Sequence, residues 1–166
     1  SVIDFETGSN LTENKMKRER IKYLSKINDK NVITYKPDST KYILTIFTDT
    51  SCPYCQKLHN EVDDLLMNDV EVRYVLFSRN GNDDDAYADM VSIWCSKDQK
   101  DALNRAFDND FVKNQSCQNP ISDNYSIARD LKVNGTPMIF MENGLVIPGY
   151  VTTDKIMSIL TDNISR

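Results

Sequence analysis

Residues 42–59, YILTIFTDTSCPYCQKLH, decide the fold of this protein. The run from Tyr42 to Phe47 is short, nearly continuous and rich in β-branched and aromatic residues, as expected for a strand covered on both faces. Two cysteines, Cys52 and Cys55, follow after a short polar turn, and the pattern then becomes helical. The stretch therefore predicts a strand, a turn, and a helix that opens at a C-x-x-C motif.

The position of the C-x-x-C motif favours redox chemistry. Backbone N–H groups at a helix N-terminus carry partial positive charge, so they stabilise a thiolate at Cys52, which is expected at the first helical position. Cys55 lies one turn deeper and is more covered. We therefore expect Cys52 to be the attacking thiolate and Cys55 the resolving thiol. Pro53 fits the first turn of the helix, because its missing N–H costs nothing there.

A zinc half-site and an inert disulfide are alternative interpretations of the motif. A zinc site needs a second close cysteine pair or histidines at zinc spacing, and Cys95 and Cys117 form no such pair. His59, the one histidine, follows Cys55 by one helical turn. It could tune the thiols or shuttle protons. We interpret it as a helix residue at the edge of the site, and we expect no metal and no cofactor.

Cys95 and Cys117 raise a separate question. Cys95 lies in a helical segment and Cys117 in a polar loop, so a bridge between them would cross-link a helical insertion. In the chain-entropy model such a bridge stabilises by on the order of 3 kcal/mol. The alternative is two free cysteines, as in a reducing compartment. The even count of four cysteines suits an oxidising compartment, which favours the bridge.

Length and composition exclude several classes of protein. A chain of 166 residues forms one ordinary domain with a short extra arm. Its 40% hydrophobic and 27% charged residues allow a packed core. The net charge of −5 and the lack of a basic stretch argue against a nucleic-acid partner. No apolar run reaches the roughly 18–20 residues that cross a bilayer.

Strands and helices alternate along the rest of the chain. Residues 11–27 predict a highly charged helix whose thin apolar stripe is typical of an exposed arm or linker. The order β, β, α, β, helical insertion, β, β, α indicates an α/β sheet with a C-terminal antiparallel pair. The predicted strands lie at 31–35, 41–48, 70–77, 138–141 and 145–147, and the remaining helices at 83–110 (two helices), 121–131 and 154–160.

Thr136-Pro137 comes just before the fourth predicted strand. A proline at a strand start removes no ladder hydrogen bond. Only about 5–6% of X-Pro bonds in folded proteins are cis, so spacing alone predicts a trans turn here.

Several separate motifs resemble the periplasmic thiol:disulfide interchange proteins of the DsbC and DsbG family. The active-site segment of that family is similar to residues 47–59. The other matching motifs are Val72-Arg73-Tyr74, residues 93–98 (IWCSKD), Ser116-Cys117, residues 134–137 (NGTP) and residues 146–150 (VIPGY). The resemblance covers roughly residues 10–160 with the order of the motifs kept.

The resemblance implies a thioredoxin fold with a helical insertion and an N-terminal linker helix. It implies that Cys52 is the nucleophile and that Cys55 resolves. It also implies that Thr136-Pro137 is a cis peptide that faces this pair and docks the substrate. Cys95 and Cys117 would form a non-catalytic disulfide.

The active-site dipeptide Pro53-Tyr54 differs from the usual Gly-Tyr of DsbC. It is closer to DsbG and also occurs in glutaredoxins. Because the dipeptide influences the stability of the thiolate, it affects the redox poise.

The resemblance also implies how the chain is organised. Residues 1–28 would be the tail of a dimerisation domain plus the linker helix, and residues 29–166 the catalytic domain. The chain is thus expected to be the catalytic half of a longer protein, which would be homodimeric at full length, whereas these 166 residues alone would be monomeric.

The implied function is that of an enzyme that reshuffles or reduces wrong disulfides in the periplasm. Its partners would be misfolded proteins with disulfides and a membrane thiol reductase like DsbD. The alternatives are a glutaredoxin-like or general disulfide reductase, and a chaperone that binds substrates through an apolar surface.

Overall fold

A computed structural model describes residues 2–81 and 85–164, and its central feature is one sheet with the strand order β1-β3-β2-β4-β5. β2 and β3 run parallel, whereas β1 is antiparallel to β3, β4 to β2, and β5 to β4. The strands are β1 (Ile33–Tyr35), β2 (Tyr42–Thr48), β3 (Val70–Leu76), β4 (Met138–Met141) and β5 (Val146–Pro148).

The helices surround this sheet, and three of them form the insertion between β3 and β4. They are α1 (Leu11–Leu24), α2 (Pro53–His59), α3 (Val62–Met67), α4 (Asp85–Trp94), α5 (Gln99–Phe107), α6 (Ile121–Asp130) and α7 (Thr153–Asn163), with a short 3-10 helix at Asp29–Asn31. The predicted α/β order, the helical insertion (α4, α5 and α6) and the C-terminal antiparallel pair are confirmed. Asp83, where the insertion is predicted to begin, lies outside the described residues.

β2 lies in the centre of the sheet because both of its faces are apolar. Leu44 and Ile46 belong to one core cluster, and Phe47 belongs to a second. All three side chains are fully buried. The nearly continuous apolar run in the sequence therefore reflects burial on both faces of the sheet.

The helical pattern after Cys55 forms two helices rather than one. α2 ends at His59, and Glu61 lies at the break before α3. The Glu61 carboxylate accepts hydrogen bonds from Tyr150 Oη at 2.7 Å and from the backbone N–H of Thr153 at 3.2 Å. The chain is thus held at this point against the start of α7, a long-range contact that the local pattern does not encode.

α1 is packed against the domain, although none of its residues is fully buried. Asn10 caps it by accepting from the Glu13 N–H at 3.0 Å, and the helix ends at Leu24, earlier than the predicted residue 27. Arg20 Nη1 donates to the carbonyl oxygen of Gly144, in the β4–β5 turn, at 3.1 Å. Within the described residues, no helix has the length and apolar character needed to span a bilayer.

Candidate active site

Cys52 lies at the junction of the loop after β2 with α2. Its backbone is extended, with φ −95° and ψ 121°, so it is the N-cap and Pro53 is the first helical residue. The expectation that Cys52 itself opens the helix is therefore wrong by one residue. The reason is geometric: the residue before a proline is disfavoured in the helical region. At the N-cap, the side chain faces the free N–H groups of the first turn.

The environment of Cys52 favours its thiolate. The side chain is only 4% exposed, and burial by itself would raise its pKa. The backbone N–H groups of Cys55 and Tyr54 act in the opposite direction, together with the side chains of Thr136 and Cys55. The net result is a pKa of Cys52 below that of an ordinary thiol.

Cys55 has the opposite character. It is 1% exposed, and burial raises its pKa to about 12. Both cysteines are free thiols, so the structure represents the reduced state of the pair. Cys52 is therefore suited to attack as a thiolate, while Cys55 stays protonated beneath it.

The loop before β4 packs against these two thiols. The Cys52 thiol donates to the carbonyl oxygen of Thr136 at 3.4 Å, and the Thr136–Pro137 peptide bond is cis, not the trans bond that spacing alone predicts. The Thr136 hydroxyl is buried, and hydrogen bonding from its side chain lowers the pKa of both cysteines. The structure thus brings the two sequence motifs together at one site.

Asp49 and Arg79 form a second layer beneath the site that the sequence analysis missed. Asp49 is completely buried, and its Oδ1 accepts from the N–H of Ser51 at 2.8 Å and from its hydroxyl at 2.6 Å. Its Oδ2 accepts from Arg79 Nε at 3.1 Å. Arg79 also donates to Ser51 Oγ at 3.3 Å. This network fixes the loop that delivers Cys52 and holds a cation beside it.

His59 is hydrogen-bonded on both sides of its ring. Nδ1 lies 3.0 Å from Tyr74 Oη, and Nε2 lies 2.8 Å from Asn104 Oδ1. Because an amide oxygen only accepts, Nε2 donates and Nδ1 accepts from Tyr74. The ring stacks on Phe107 at 4.5 Å between centroids, and burial lowers the pKa of His59. These contacts hold the ring of this α2 residue against β3 and α5.

The other two cysteines form a disulfide within the helical insertion. Cys95, just after α4, is bonded to Cys117, in the segment before α6. The helical insertion is therefore cross-linked covalently.

The dipeptide between the two thiols lies at the surface. Pro53 is exposed, and the Tyr54 side chain is 59% exposed beside Cys52. In residues 2–81 and 85–164, no group of three or more His, Cys, Asp or Glu residues is arranged to hold a metal ion.

Comparison with known proteins places these features in a family. A profile described as a thioredoxin-like domain matches residues 29–164. The thiol:disulfide interchange protein DsbC of Salmonella typhimurium is 39% identical over 142 residues, which is 84% of this chain and 60% of that protein. The DsbC of Escherichia coli is 36% identical over 135 residues, which is 81% of this chain and 57% of that protein. The chain thus spans less than two thirds of the length of these relatives.

Solved structures show the same fold. A disulfide interchange protein from Neisseria gonorrhoeae has a TM-score of 0.71 at 24% identity, covering 84% of this chain and all of that one. The thiol-disulfide exchange protein alpha-DsbA2 of Wolbachia pipientis has a TM-score of 0.70 at 14% identity, covering 93% and 99% of the two chains. The chain therefore belongs to the thioredoxin-like domain family, and its resemblance to the DsbC thiol:disulfide interchange proteins is confirmed.

Proposed function

We propose that this domain catalyses thiol:disulfide exchange on protein disulfides, with Cys52 as the nucleophile and Cys55 as the resolving thiol. The observation that carries the proposal is the inequality of the two thiols. The pKa of Cys52 is lowered at the start of α2, while that of Cys55 is raised to about 12. One thiol is thereby prepared to attack, and the other is held back until a mixed disulfide has formed.

The reaction begins when the Cys52 thiolate attacks one sulfur of a substrate disulfide. A mixed disulfide forms, and the other substrate sulfur leaves as a thiolate. If a substrate thiolate then attacks the mixed disulfide, Cys52 returns as a thiolate and the substrate has been isomerised. If Cys55 loses its proton and attacks the Cys52 sulfur, the substrate leaves reduced and a Cys52–Cys55 disulfide forms. This second outcome requires an external dithiol to restore the pair.

Thr136-Pro137 is the proposed docking point for the substrate chain. The Thr136 carbonyl lies 3.4 Å from the Cys52 sulfur. An extended substrate segment could therefore pair with the Thr136 backbone by strand addition while its disulfide lies against Cys52. Proline at the next position presents no N–H that could bind the thiolate. Pro53 and Tyr54 lie exposed beside this path.

The wider setting is also part of the proposal. We propose that the substrates are misfolded proteins with wrong disulfides, that the compartment is the periplasm, and that a DsbD-like membrane thiol reductase keeps the pair reduced. We further propose a division at residues 1–28 and 29–166, and a longer homodimeric form. The similarity to DsbC supports these statements, and a family match that begins at residue 29 supports the division.

Single cysteine variants test the function. Cys55→Ser should keep isomerising scrambled ribonuclease, because a substrate thiol can resolve the mixed disulfide, but it should lose net reduction of insulin. Cys52→Ser should lose both activities. Each variant is the matched control of the other, since both replace one sulfur by one oxygen. Undiminished activity of Cys52→Ser would refute the assignment of the nucleophile.

The double variant Cys52→Ser/Cys55→Ser separates an enzyme from a chaperone. Loss of activity on scrambled ribonuclease with retained suppression of aggregation would show both functions. Retention of every activity would favour a chaperone that does not use its thiols.

A further inference from the structure

A groove lined by cations lies beside the Thr136-Pro137 loop and has no role in the exchange steps described above. It has a volume of about 420 Å³, within the range of clefts that hold small ligands. Its lining residues include Phe77, Arg79, Tyr125, Arg129, Lys132 and Gly135. Three of these carry positive charge, and none of the described lining residues is acidic.

The charge of this groove contrasts with that of the whole chain. The protein carries a net charge of −5, so a cluster of three cations does not follow from a basic composition. Arg79 is anchored by Asp49. Arg129 and Lys132 are exposed and take part in none of the ion pairs seen among the described residues. Their charges are therefore available to a partner.

The groove is continuous with the reactive site. Gly135 lines it, and the next residue, Thr136, accepts from the Cys52 thiol. At another side of the groove, Arg79 contacts Asp49 and Ser51 in the loop that delivers Cys52. A chain segment docked on the Thr136 backbone would therefore lie next to the groove.

The groove also offers an aromatic surface. Phe77 and Tyr125 are stacked, with their ring centroids 5.7 Å apart. Phe77 is buried, while Tyr125 is 39% exposed. Aromatic rings beside cations provide apolar contact for the backbone and the methylene groups of an extended peptide, while the cations select its charge.

We infer that this groove binds an acidic stretch of a protein substrate that flanks the disulfide attacked by Cys52. The inference rests on the proposed function, which it deepens by naming a preferred class of substrate. The complementary charge raises the rate of productive encounter and orients the substrate, and salt weakens both effects.

The test compares two fluorescent peptides that carry the same disulfide, one flanked by a run of glutamates and the other by glutamines. Wild-type protein should show a kcat/KM about fivefold higher for the glutamate peptide, as expected for two or three solvent-exposed charge pairs. Arg129→Gln/Lys132→Gln should bring the ratio of the two kcat/KM values to about one. The control Lys36→Gln/Lys155→Gln removes the same charge from exposed positions outside the groove and should keep the wild-type ratio.

Equal kcat/KM values for the two peptides in the wild type, or an unchanged ratio in Arg129→Gln/Lys132→Gln, would overturn the inference while leaving the exchange function intact. Inhibition by a DNA oligonucleotide as strong as inhibition by a polyglutamate peptide of equal charge would also overturn it, because the groove would then bind any polyanion. If the double variant unfolds, the inference is tested instead by the ratio of the two kcat/KM values in the single variants and by the salt dependence of this ratio in the wild type. A preference that persists at 1 M salt would contradict the inference.

Binding can also be measured without chemistry. Fluorescence anisotropy of a cysteine-free glutamate peptide, with Cys52→Ser/Cys55→Ser as the protein, should show weaker binding when Arg129 and Lys132 are replaced. If neither disulfide peptide reacts but this difference persists, the exchange function has failed and the groove assignment stands. If both peptides react but this difference is absent, the groove assignment has failed.

Discussion

At the scale of single residues, two identical side chains acquire opposite chemistry from their positions in α2. Cys52 precedes Pro53 and meets the free N–H groups of the first turn, whereas Cys55 lies one turn further on, in the core. Burial raises the pKa of both thiols, but the deeper burial of Cys55 dominates there, whereas at Cys52 the hydrogen bonds outweigh it. The asymmetry between the two thiols therefore comes from two sources: the burial of Cys55 and the hydrogen bonds that Cys52 meets at the start of α2.

Alkylation across a range of pH should report this asymmetry. Because its pKa is lowered, the Cys52 thiolate should form, and react with iodoacetamide, at a lower pH than an ordinary thiol with a pKa of about 8.5. Cys55, whose pKa is about 12, should stay unlabelled at neutral pH. Peptide mass spectrometry after timed labelling measures both rates. Equal labelling of the two cysteines at pH 7 would contradict the assigned roles.

Asp49 should matter both for stability and for the reactivity of Cys52. In Asp49→Asn the amide can still accept from Ser51, but its NH₂ group would face the Arg79 donors. We expect a loss of about 1–3 kcal/mol in the free energy of unfolding, as for a buried group left without a partner. Alkylation of Cys52 at pH 7 should also slow, because the loop that holds its sulfur at the start of α2 would lose part of its anchor. Urea titration and labelling rates check both effects.

The matched control for this substitution is Asp38→Asn, which changes an exposed carboxylate in the loop between β1 and β2. Surface substitutions of this kind usually change stability by less than about 0.5 kcal/mol. If Asp49→Asn behaved like this control, the network beneath the site would have no role in holding the loop.

At the scale of elements, the periodicity of the sequence predicted those helices and strands that depend only on residues close together in the chain. The β2 run, the helix at the C-x-x-C motif and the helical insertion were all visible as local patterns, although α2 begins one residue later than predicted. The separation of α2 from α3 was not, because it depends on Glu61 binding Tyr150 and Thr153 from far along the chain. The sequence analysis also did not predict that α1 packs on the β4–β5 turn, because that contact joins residues far apart in the chain.

In the candidate site, too, the sequence predicted some residues and missed others. The resemblance and the C-x-x-C motif pointed to Cys52 and Cys55, but nothing local connected Asp49 to Arg79. Asp49 follows β2 and Arg79 follows β3, and the two meet because parallel neighbouring strands end at the same edge of the sheet. An acidic residue directly after a central strand was the available signal, since ligands and functional groups gather at that edge.

Gly144 should be essential for docking α1. A Cβ atom at this position would lie 2.4 Å from the carbonyl oxygen of Lys17, a backbone atom that cannot turn aside. Gly144→Ala should therefore displace α1 and cost about 1–3 kcal/mol, as overpacking does. Hydrogen exchange measures the effect, with faster exchange expected for the amides of α1. Labelling of Cys52 should stay as in the wild type.

Gly81→Ala provides the control for backbone strain. Gly81 has the same φ as Gly144, +84°, but a Cβ atom there would meet no atom of residues 2–81 or 85–164 within 4 Å. Both substitutions share the cost of a positive φ, so their difference isolates the contact with α1. Equal exchange of the α1 amides in the two variants would show that the helix does not depend on this close approach.

At the scale of the whole molecule, the sheet acts as a frame that brings distant loops to one edge. Cys52 lies in the loop after β2, Arg79 in the segment after β3, and Thr136 in the loop before β4. Core clusters lie on both faces of the sheet, and the Cys95–Cys117 disulfide cross-links the insertion. Chemistry at this edge therefore depends on the stability of the entire domain.

That stability should depend on pH through His59, the one histidine in the chain. Burial lowers the pKa of His59, so the native state holds it neutral at a pH where the unfolded chain, with a pKa of about 6.5, already binds a proton. Below pH 6.5 the unfolded state thus binds more protons, and the free energy of unfolding should fall as the pH decreases toward the native pKa. The groups that face the ring are Tyr74, Asn104, Tyr35, Phe107, Asp63 and Asp108.

Urea unfolding between pH 5 and pH 7.5 isolates this effect. Glu61 does not interfere in this pH range. Hydrogen bonds, first of all from the Thr153 hydroxyl, lower its pKa, so its contribution to the free energy of unfolding is present above about pH 4.5 and is lost only in more acidic solution. His59→Gln keeps a neutral polar group next to Tyr74 and Asn104 but cannot titrate. The fall in stability between pH 6.5 and pH 5 should therefore be markedly smaller in this variant. An equal fall in the free energy of unfolding in the wild type and in His59→Gln would show that other groups cause the loss of stability in acid. In an NMR titration, the single histidine signal would show whether the ring is protonated at each pH.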